Sequence, residues 1–346
     1  MFSAYDRLGP NRYRQRIGLD FEDFAPGQRF HHRPGLTLSQ QDNAEEALAT
    51  LNGAMLHYDA HYAAATTWGR PLMVSTLTLR LLLGLATKTY GRRAALLGID
   101  EIVLTGPLFG GDTLYAESEV LEVAPGDIAG QGVATVALTG RKADGTAIGR
   151  TVARMSIWRR DAGPEAGAER AEDPRFSAYH AHGDGALVEQ AGPFFEDFTA
   201  GESFVHAPRR SFFPEEAARA AWSALELAPA YQDLDWIARH GGGAQAVSET
   251  FVIGAVTALT TRTFGRVVAN LGWHDIALPA PVRVGDTVEA ESTVLDARAS
   301  RSRPNEGILS VATVARNQRG EEVLRYRRSL LVYRRAAATP YAAAGY

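Results

Sequence analysis

An internal repeat constrains the fold of this 346-residue chain more than any other feature of its sequence. The run Phe21-Glu22-Asp23-Phe24 recurs as Phe195-Glu196-Asp197-Phe198, at an offset of 174 residues. The same offset relates other glycine, histidine, proline and turn positions, namely Gly27 and Gly201, His32 and His206, Pro34 and Pro208, and Gly111-Asp112-Thr113 and Gly285-Asp286-Thr287. Solenoid repeats are far shorter, roughly 20 to 50 residues. The sequence therefore predicts two homologous domains of about equal size.

The predicted domains span residues 17–160 and 190–336. The segment 161–189 between them is rich in alanine, glycine, proline and charged residues and shows no hydrophobic periodicity. Such a composition is typical of a linker. The alanine-rich residues 336–346 are predicted to form a tail.

Both halves show the same order of predicted elements. A short strand near Phe30 or Phe204 precedes a polar helix that begins near Ser39 or Pro214. A long apolar helix follows, near Leu72 to Thr87 in the first half and near Ser248 to Thr261 in the second, and then three or four alternating strands. One long helix followed by an antiparallel sheet is an α+β order. We expect the sheet to wrap around the helix and to bury most of its faces.

Composition excludes several classes of function. The chain has 0 cysteines, which excludes disulfides, a thiolate nucleophile and cysteine-ligated metal centres. A net charge of −4 is not the basic footprint of a nucleic-acid-binding protein. The apolar stretch from Leu72 to Ala86 is too short and too polar to span a bilayer, and the N-terminus lacks the apolar run of a signal peptide. We therefore expect a cytoplasmic protein.

Histidines, carboxylates and amides remain as candidates for chemistry. His57 and His61 are four residues apart, the spacing of a metal-binding pair on a helix. The glutamate of zinc proteases is missing between them, and no third ligand is evident, so no metal site is predicted. The loop that contains His57 also differs between the halves, because the repeat aligns His57 with Tyr231, Asn52 with Glu226 and Ser75 with Glu249. At most one half should carry a complete site.

Several motifs resemble those of the MaoC-like dehydratases. They are the run Leu51-Asn52-Gly53-Ala54-Met55-Leu56-His57-Tyr58-Asp59, the run Trp68-Gly69-Arg70-Pro71, and the strand starts at 107–114 and 281–287. The resemblance covers both halves. It implies an α+β double hot-dog fold, in which two antiparallel sheets each wrap around a long helix.

The loop also departs from the usual family signature. Asn52 stands where the family has its catalytic aspartate, and Val74-Ser75 where it has His-Gly. In these respects, and in the run 268–273, the chain resembles the mesaconyl-coenzyme A hydratases, also called β-methylmalyl-coenzyme A dehydratases. In that subgroup the histidine-bearing half comes second, whereas here it comes first. The resemblance implies a hydro-lyase that acts without a cofactor on a short branched α,β-unsaturated acyl-coenzyme A, mesaconyl-coenzyme A above all.

The implied reaction assigns roles to the loop. His57 is the expected general base, since a neutral imidazole accepts a proton near pH 7. Asn52 is expected to orient water or the thioester, and the Ser75 N–H to stabilise the enolate oxygen. Asp59 is expected to cap a helix, because the second half retains it as Asp233. The acyl and coenzyme A pocket is predicted to include Tyr58, Arg70, Arg80 and Tyr231.

Two other functions remain open at this point. A hot-dog thioesterase needs a carboxylate to activate water, and Asp42, Glu45 or Glu46 of the preceding helix offer one. A non-catalytic acyl-coenzyme A-binding protein needs no base at all. A double hot-dog chain is geometrically complete as a monomer, and a homodimer remains open.

Overall fold

The computed structural model describes residues 1–241, 243–337 and 339–346; residue 338, in the predicted tail, lies outside the described residues. The strands of the first half and of the connection are β1 (Tyr5–Gly9), β2 (Arg12–Gln15), β3 (Arg29–Thr37), β4 (Arg93–Leu104), β5 (Thr113–Pro125), β6 (Gln131–Lys142), β7 (Ala147–Trp158), β8 (Glu169–Arg170), β9 (Tyr179–Ala181) and β10 (Leu187–Glu189). Those of the second half are β11 (Ser203–Val205), β12 (Arg210–Ser211), β13 (Val267–Ala277), β14 (Thr287–Ala299), β15 (Glu306–Asn317) and β16 (Glu322–Tyr333). The helices are α1 (Gln40–Ala49), α2 (Ala60–Ala64), α3 (Ser75–Leu85), α4 (Thr87–Tyr90), α5 (Pro214–Ser223), α6 (Pro229–Gln232), α7 (Leu234–His240), α8 (Glu249–Leu259) and α9 (Pro340–Ala343).

The strands form two sheets with equivalent orders. One sheet runs β4-β7-β6-β5-β3-β10-β9, and the other runs β13-β16-β15-β14-β11-β2-β1-β8, with β12 paired to β14. The long strands pair antiparallel in both sheets. The fold is α+β, a double hot-dog, as the resemblance implied. No helix among the described residues is long and apolar enough to cross a membrane.

The two halves exchange hairpins. The N-terminal hairpin β1–β2 joins the sheet of the second half, where β2 runs parallel to β11. The hairpin β9–β10 joins the sheet of the first half, where β10 runs parallel to β3. The prediction of a linker over 161–189 is corrected in this respect, because this segment contains three strands that pair with the two sheets. The boundaries at 17–160 and 190–336 stay a prediction.

The exchanged hairpins are themselves copies of each other, a relation that the sequence motifs did not bring out. The run Phe2-Ser3-Ala4-Tyr5 recurs as Phe176-Ser177-Ala178-Tyr179, again 174 residues later. Ser3 pairs with Ser177 across the boundary. The Ala4 N–H donates to the Phe176 carbonyl and the Ala178 N–H to the Phe2 carbonyl, each at 2.7 Å. This reciprocity places a pseudo-two-fold axis between the two serines.

The long helices are shorter and more exposed than predicted. In α3 only Leu77, Thr78 and Leu82 are buried, and in α8 only Val252, Ala255 and Val256. Each helix rests on its sheet with one stripe, so the expectation of burial on most faces was wrong. The side away from the sheet of α3 remains accessible, and its first residue, Ser75, is exposed.

Packing explains the most conspicuous repeated motif. The Phe21 ring covers the backbone of Gly132, and a Cβ there would lie 2.4 Å from it. Phe195 covers Gly307 in the same way in the second half. The last phenylalanine of each motif stacks on an aromatic ring after the long helix, Phe24 on Tyr90 and Phe198 on Phe264, each with centroids 5.3 Å apart. The repeated motif therefore holds its loop against the sheet in each half.

A buried polar network is duplicated as well. His32 contacts Ser118 at 2.8 Å, and His206 contacts Ser292 at 2.9 Å. In the first half the other ring nitrogen of His32 meets the Glu189 carboxylate at 2.8 Å, whereas that of His206 meets only the Thr263 hydroxyl at 3.1 Å. Burial, and secondarily the charge of Arg328, lowers the pKa of His206 to about 3.

His206 should therefore make the protein sensitive to acid. The unfolded chain binds a proton on this histidine near pH 6.5, but the folded chain does not until about pH 3, so stability is complete above pH 6.5 and falls below it. Over that range His206 alone accounts for roughly 3–5 kcal/mol of unfolding free energy. Urea unfolding at several pH values checks this in wild type and in His206→Gln, which should show a smaller pH slope.

The exposed His274 on β13 supplies the matched control. His274→Gln should keep the slope of the wild type, because the exposed side chain of His274 takes no part in the buried network around His206. An unchanged slope in His206→Gln would contradict the assignment.

Candidate active site

His57 lies in a short turn between α1 and α2 that the backbone winds as a 3-10 helix over Met55–His57. The side chain is half-buried. Its Nδ1 lies 2.7 Å from the Leu72 carbonyl oxygen. Because a carbonyl can only accept, Nδ1 carries a proton, and in the neutral imidazole Nε2 has the free lone pair. A histidine held in this tautomer is a competent base.

Asn43 of α1 holds the histidine loop against the start of α3. Its side chain is fully buried, and its amide nitrogen donates to the carbonyls of His57 at 2.7 Å and Leu72 at 2.9 Å. Its oxygen accepts from the Val74 N–H at 2.8 Å. The N–H groups and the oxygen of the Asn43 amide thus all bind the two segments that form the site.

Gln40 supports the same loop, and its amide donates to the His57 carbonyl at 2.7 Å. Sequence reasoning missed both amides, although the repeat held a signal for them. At the offset of 174, Gln40 aligns with Pro214 and Asn43 with Ala217, neither of which has a side-chain donor. The amides are present only in the half that has the histidine.

A cavity of about 430 Å³ lies beside His57. Ser75 and Thr78 of α3 line it together with Trp68, and most of the remaining lining is apolar, namely Leu72, Met73, Leu104, Pro107, Leu108 and Ile148. Among the hydrogen bonds within the described chain, those of α3 begin with the Leu77 N–H, so the Ser75 and Thr76 N–H groups are open donors. An open helix N-terminus favours negative charge. The structure thus brings the His57 imidazole and an open helix N-terminus to one cavity.

The side chains of Asn52 and Asp59 accept hydrogen bonds from nearby backbone N–H groups. The Asn52 side-chain oxygen accepts from the Ala54 N–H at 2.9 Å, and Asn52 does not line the cavity. Its role in orienting water or the thioester stays a prediction. Asp59 caps α2 by accepting from the Tyr62 N–H at 3.0 Å, and Asp233 caps α7 in the same manner. Asp59 is a helix cap, as expected.

The predicted coenzyme A-binding residues divide into two groups. Arg70 lies 4.0 Å above the ring of Phe109, which itself meets Trp68 edge to face, so this cation stands beside the cavity. Arg80 instead pairs with the buried carboxylate of Glu46 at 2.6 Å. Tyr58 is exposed next to His57. Of these three residues, Arg70 is a cation that cation–π and aromatic contacts place near the cavity, and it forms no ion pair with a carboxylate in the described chain. Its role in binding coenzyme A stays a prediction.

Tyr231 lies outside this cavity, in the corresponding part of the second half. Its hydroxyl donates to Glu249, the first residue of α8. Burial, together with the neighbouring Glu249 carboxylate, raises the pKa of Tyr231 to about 12. In the second half Glu249 stands at the start of its long helix where the first half has Ser75, and Tyr231 stands where the first half has His57. The second half therefore lacks the arrangement seen around His57.

The three carboxylates of α1 each form a hydrogen bond or an ion pair with another side chain. Asp42 forms a capping box with Ser39, Glu46 pairs with Arg80, and Glu45 accepts from Gln41. Within the described parts of the chain, no group of three or more histidine, aspartate and glutamate side chains is placed to hold a metal ion.

Curated relatives match part of the chain. The mesaconyl-CoA hydratase of Cereibacter sphaeroides is 38% identical over 157 residues, which cover 44% of this chain and 45% of that protein. The mesaconyl-CoA hydratase of Haloarcula hispanica is 30% identical over 165 residues, 47% of this chain and 46% of that protein. The chain thus spans just under half the length of the curated relatives it matches.

A solved structure, a MaoC domain protein dehydratase from Chloroflexus aurantiacus, is 20% identical, with a TM-score of 0.41 over 92% of this chain and 98% of that one. Two family models also match. The model of the MaoC-like domain matches residues 21–142, and that of mesaconyl-CoA hydratase matches residues 172–345, just over half of the chain. The chain belongs to the mesaconyl-CoA hydratase family and carries a MaoC-like domain in its N-terminal half.

Proposed function

We propose that this protein is a hydro-lyase that adds water reversibly to a short branched α,β-unsaturated acyl-coenzyme A, with mesaconyl-coenzyme A as the first candidate. The observation that supports it most is the pairing of His57, with its Nε2 lone pair, and the open N-terminus of α3 in one cavity. The family membership and the printed names of the relatives supply the substrate class.

Water is activated by His57 in this proposal. Nε2 takes one proton from water while the oxygen forms a bond to the β-carbon of the substrate. The electron pair of the carbon–carbon double bond moves to the α-carbon and the thioester oxygen, giving an enolate. The imidazolium then returns the proton to the α-carbon, which restores His57 and completes the addition of one water molecule. The Leu72 carbonyl stabilises the Nδ1–H throughout.

The enolate oxygen requires hydrogen-bond donors that are already in position before the reaction. The Ser75 N–H and the positive end of α3 meet that need at the edge of the cavity. One such donor contributes about 10²- to 10³-fold to the rate in enzymes that use it. Arg70, beside the cavity on Phe109, is the candidate for the coenzyme A phosphates.

The alternatives have less support. A thioesterase needs a free carboxylate near the thioester, and the three of α1 are held by caps, amides and Arg80. A purely binding role does not account for two amides that fix the backbone of a histidine loop. Release of free thiol from an acyl-coenzyme A would identify a thioesterase directly.

Incubation with a panel of enoyl-coenzyme A thioesters, including mesaconyl-coenzyme A, tests the reaction. Mass spectrometry should detect products heavier by one water. His57→Ala should fold normally and lower the rate about 10²- to 10⁴-fold, the usual cost of losing a general base. Tyr231→Phe is the matched control in the other half and should keep most of the rate. Equal losses in the two variants, or near-normal turnover in His57→Ala, would refute the assignment of His57 as the base.

Asn43 should act as a positioning residue. Asn43→Ala removes the donors to His57 and Leu72 and the acceptor for Val74, leaving buried backbone groups unpaired, and should lower the unfolding free energy by roughly 1–3 kcal/mol. Because the loop then moves relative to α3, kcat should fall more than KM rises. Thermal unfolding and steady-state kinetics measure the two effects.

Ala217→Gly in α5 serves as the control for Asn43→Ala. It truncates the buried equivalent residue of the other half, so it should cost stability without lowering kcat. A kcat for Asn43→Ala equal to that of the wild type would show that the amide is merely structural.

A further inference from the structure

A second cavity, of about 500 Å³, lies between the two halves on the pseudo-two-fold axis. Within the described chain it shares no lining residue with the cavity beside His57. Many of its lining residues are related by the offset of 174, among them Ser3 and Ser177, Tyr5 and Tyr179, and Lys88 and Arg262. The exchange of hairpins therefore creates this cavity. Two of its lining cations, Arg16 and Arg175, are paired with carboxylates, and the other two, Lys88 and Arg262, come one from each half.

Neither Lys88 nor Arg262 forms an ion pair with a carboxylate in the described chain. The Lys88 amine donates to the Gln190 carbonyl at 3.3 Å, and Arg262 donates to the carbonyls of Arg16 at 3.2 Å and Ala207 at 3.3 Å. These bonds are long, and they leave most of the eight N–H donors of the two groups without a partner in the described chain. Burial lowers the pKa of Lys88, and the charge of Arg262 adds to this effect.

Glu189 also lines the cavity but is occupied elsewhere. One carboxylate oxygen accepts from His32 at 2.8 Å and from the Thr89 hydroxyl at 2.7 Å, and the other accepts from the Arg33 N–H at 3.0 Å. Its charge influences Lys88 and Arg262 from a distance without forming an ion pair with either. Two desolvated cations with spare donors in one cavity are unfavourable unless an anion joins them.

The remaining lining suggests what kind of anion. Leu19, Phe176, Val267 and Tyr341 give the cavity apolar and aromatic walls. Its volume far exceeds that of a single inorganic ion, since one water molecule takes about 30 Å³ of the liquid. We propose that the cavity on the pseudo-two-fold axis binds a small organic anion, whose carboxylate or phosphate head lies between Lys88 and Arg262 and whose apolar body lies against these walls. This site is independent of the hydratase site.

Titration calorimetry with four probes tests the proposal on the full chain. Hexanoate has a carboxylate head and an apolar body, and hexyl phosphate has a phosphate head on the same body. 1-Hexanol has the body without the charge, and inorganic phosphate has the charge without the body. We expect hexanoate or hexyl phosphate to bind, and the tighter of the two identifies the head group. Binding of 1-hexanol as tight as that of both anions would overturn the proposal, as would binding of neither anion.

Variants separate this cavity from the one beside His57. Lys88→Met and Arg262→Met should each weaken binding of the anion about 10- to 100-fold, the usual range for a charge-assisted hydrogen bond. Arg70→Met removes the cation beside the other cavity and should leave the affinity unchanged. The reverse pattern, with a loss in Arg70→Met and none in Lys88→Met, would place the anion at the wrong cavity and refute the proposal.

Thermal unfolding gives a second readout. Without an anion, Lys88→Met should unfold at the same temperature as the wild type or higher, because it removes a charge that burial disfavours. The anion should raise the unfolding temperature of the wild type but not that of the variant. If Lys88→Met fails to fold, Arg262→Lys keeps the charge and must retain anion binding. A marked destabilisation of a folded Lys88→Met, with unchanged affinity, would assign the cations to structure instead.

Discussion

The architecture depends on the reciprocal pairing of two copies of one hairpin. Each copy lies just before one half in the chain and extends the sheet of the other half, and the two copies meet at Ser3 and Ser177. The backbone bonds at this crossing are identical in length on both sides. Because each sheet needs the other half for its last strands, the two halves cannot pack as independent bodies joined by a loose connection. The same crossing encloses the cavity on the pseudo-two-fold axis.

The two halves share one fold but differ in the residues that serve the proposed reaction. The phenylalanine contacts that hold a loop to each sheet, the histidine–serine pairs and the aspartate caps occur in both halves, since each half needs them to pack. The residues that serve the proposed reaction occur once. The His57 loop is fixed by Asn43 and Gln40, whereas alanine and proline stand at the corresponding positions of α5. At the start of the long helix the second half has a carboxylate, which would repel a developing enolate.

Burial without a charged partner is the recurring source of unusual electrostatics in this molecule. His206 has only hydroxyl partners, so it is held neutral, while its counterpart His32 gained Glu189 from the exchanged hairpin. Lys88 and Arg262 occupy equivalent positions and face a common space. The second case arises because the axis brings like positions together, so that the cation of one half meets its equivalent from the other.

The sequence alone determined the duplication and the α+β order, which follow from periodicity and spacing. The double hot-dog class and the proposal of a site at the His57 loop came instead from motifs that resemble those of a known family. Sequence alone could not determine the partners of the hairpins, because a strand of three to five residues carries no mark of the sheet that it joins. The roles of Asn43 and Glu189 were equally hidden, since a buried amide or carboxylate acquires its meaning from carbonyls, amines and rings distant in the chain. Tertiary structure decided these points because hydrogen bonds of buried polar groups must be satisfied in three dimensions, whatever their separation in sequence.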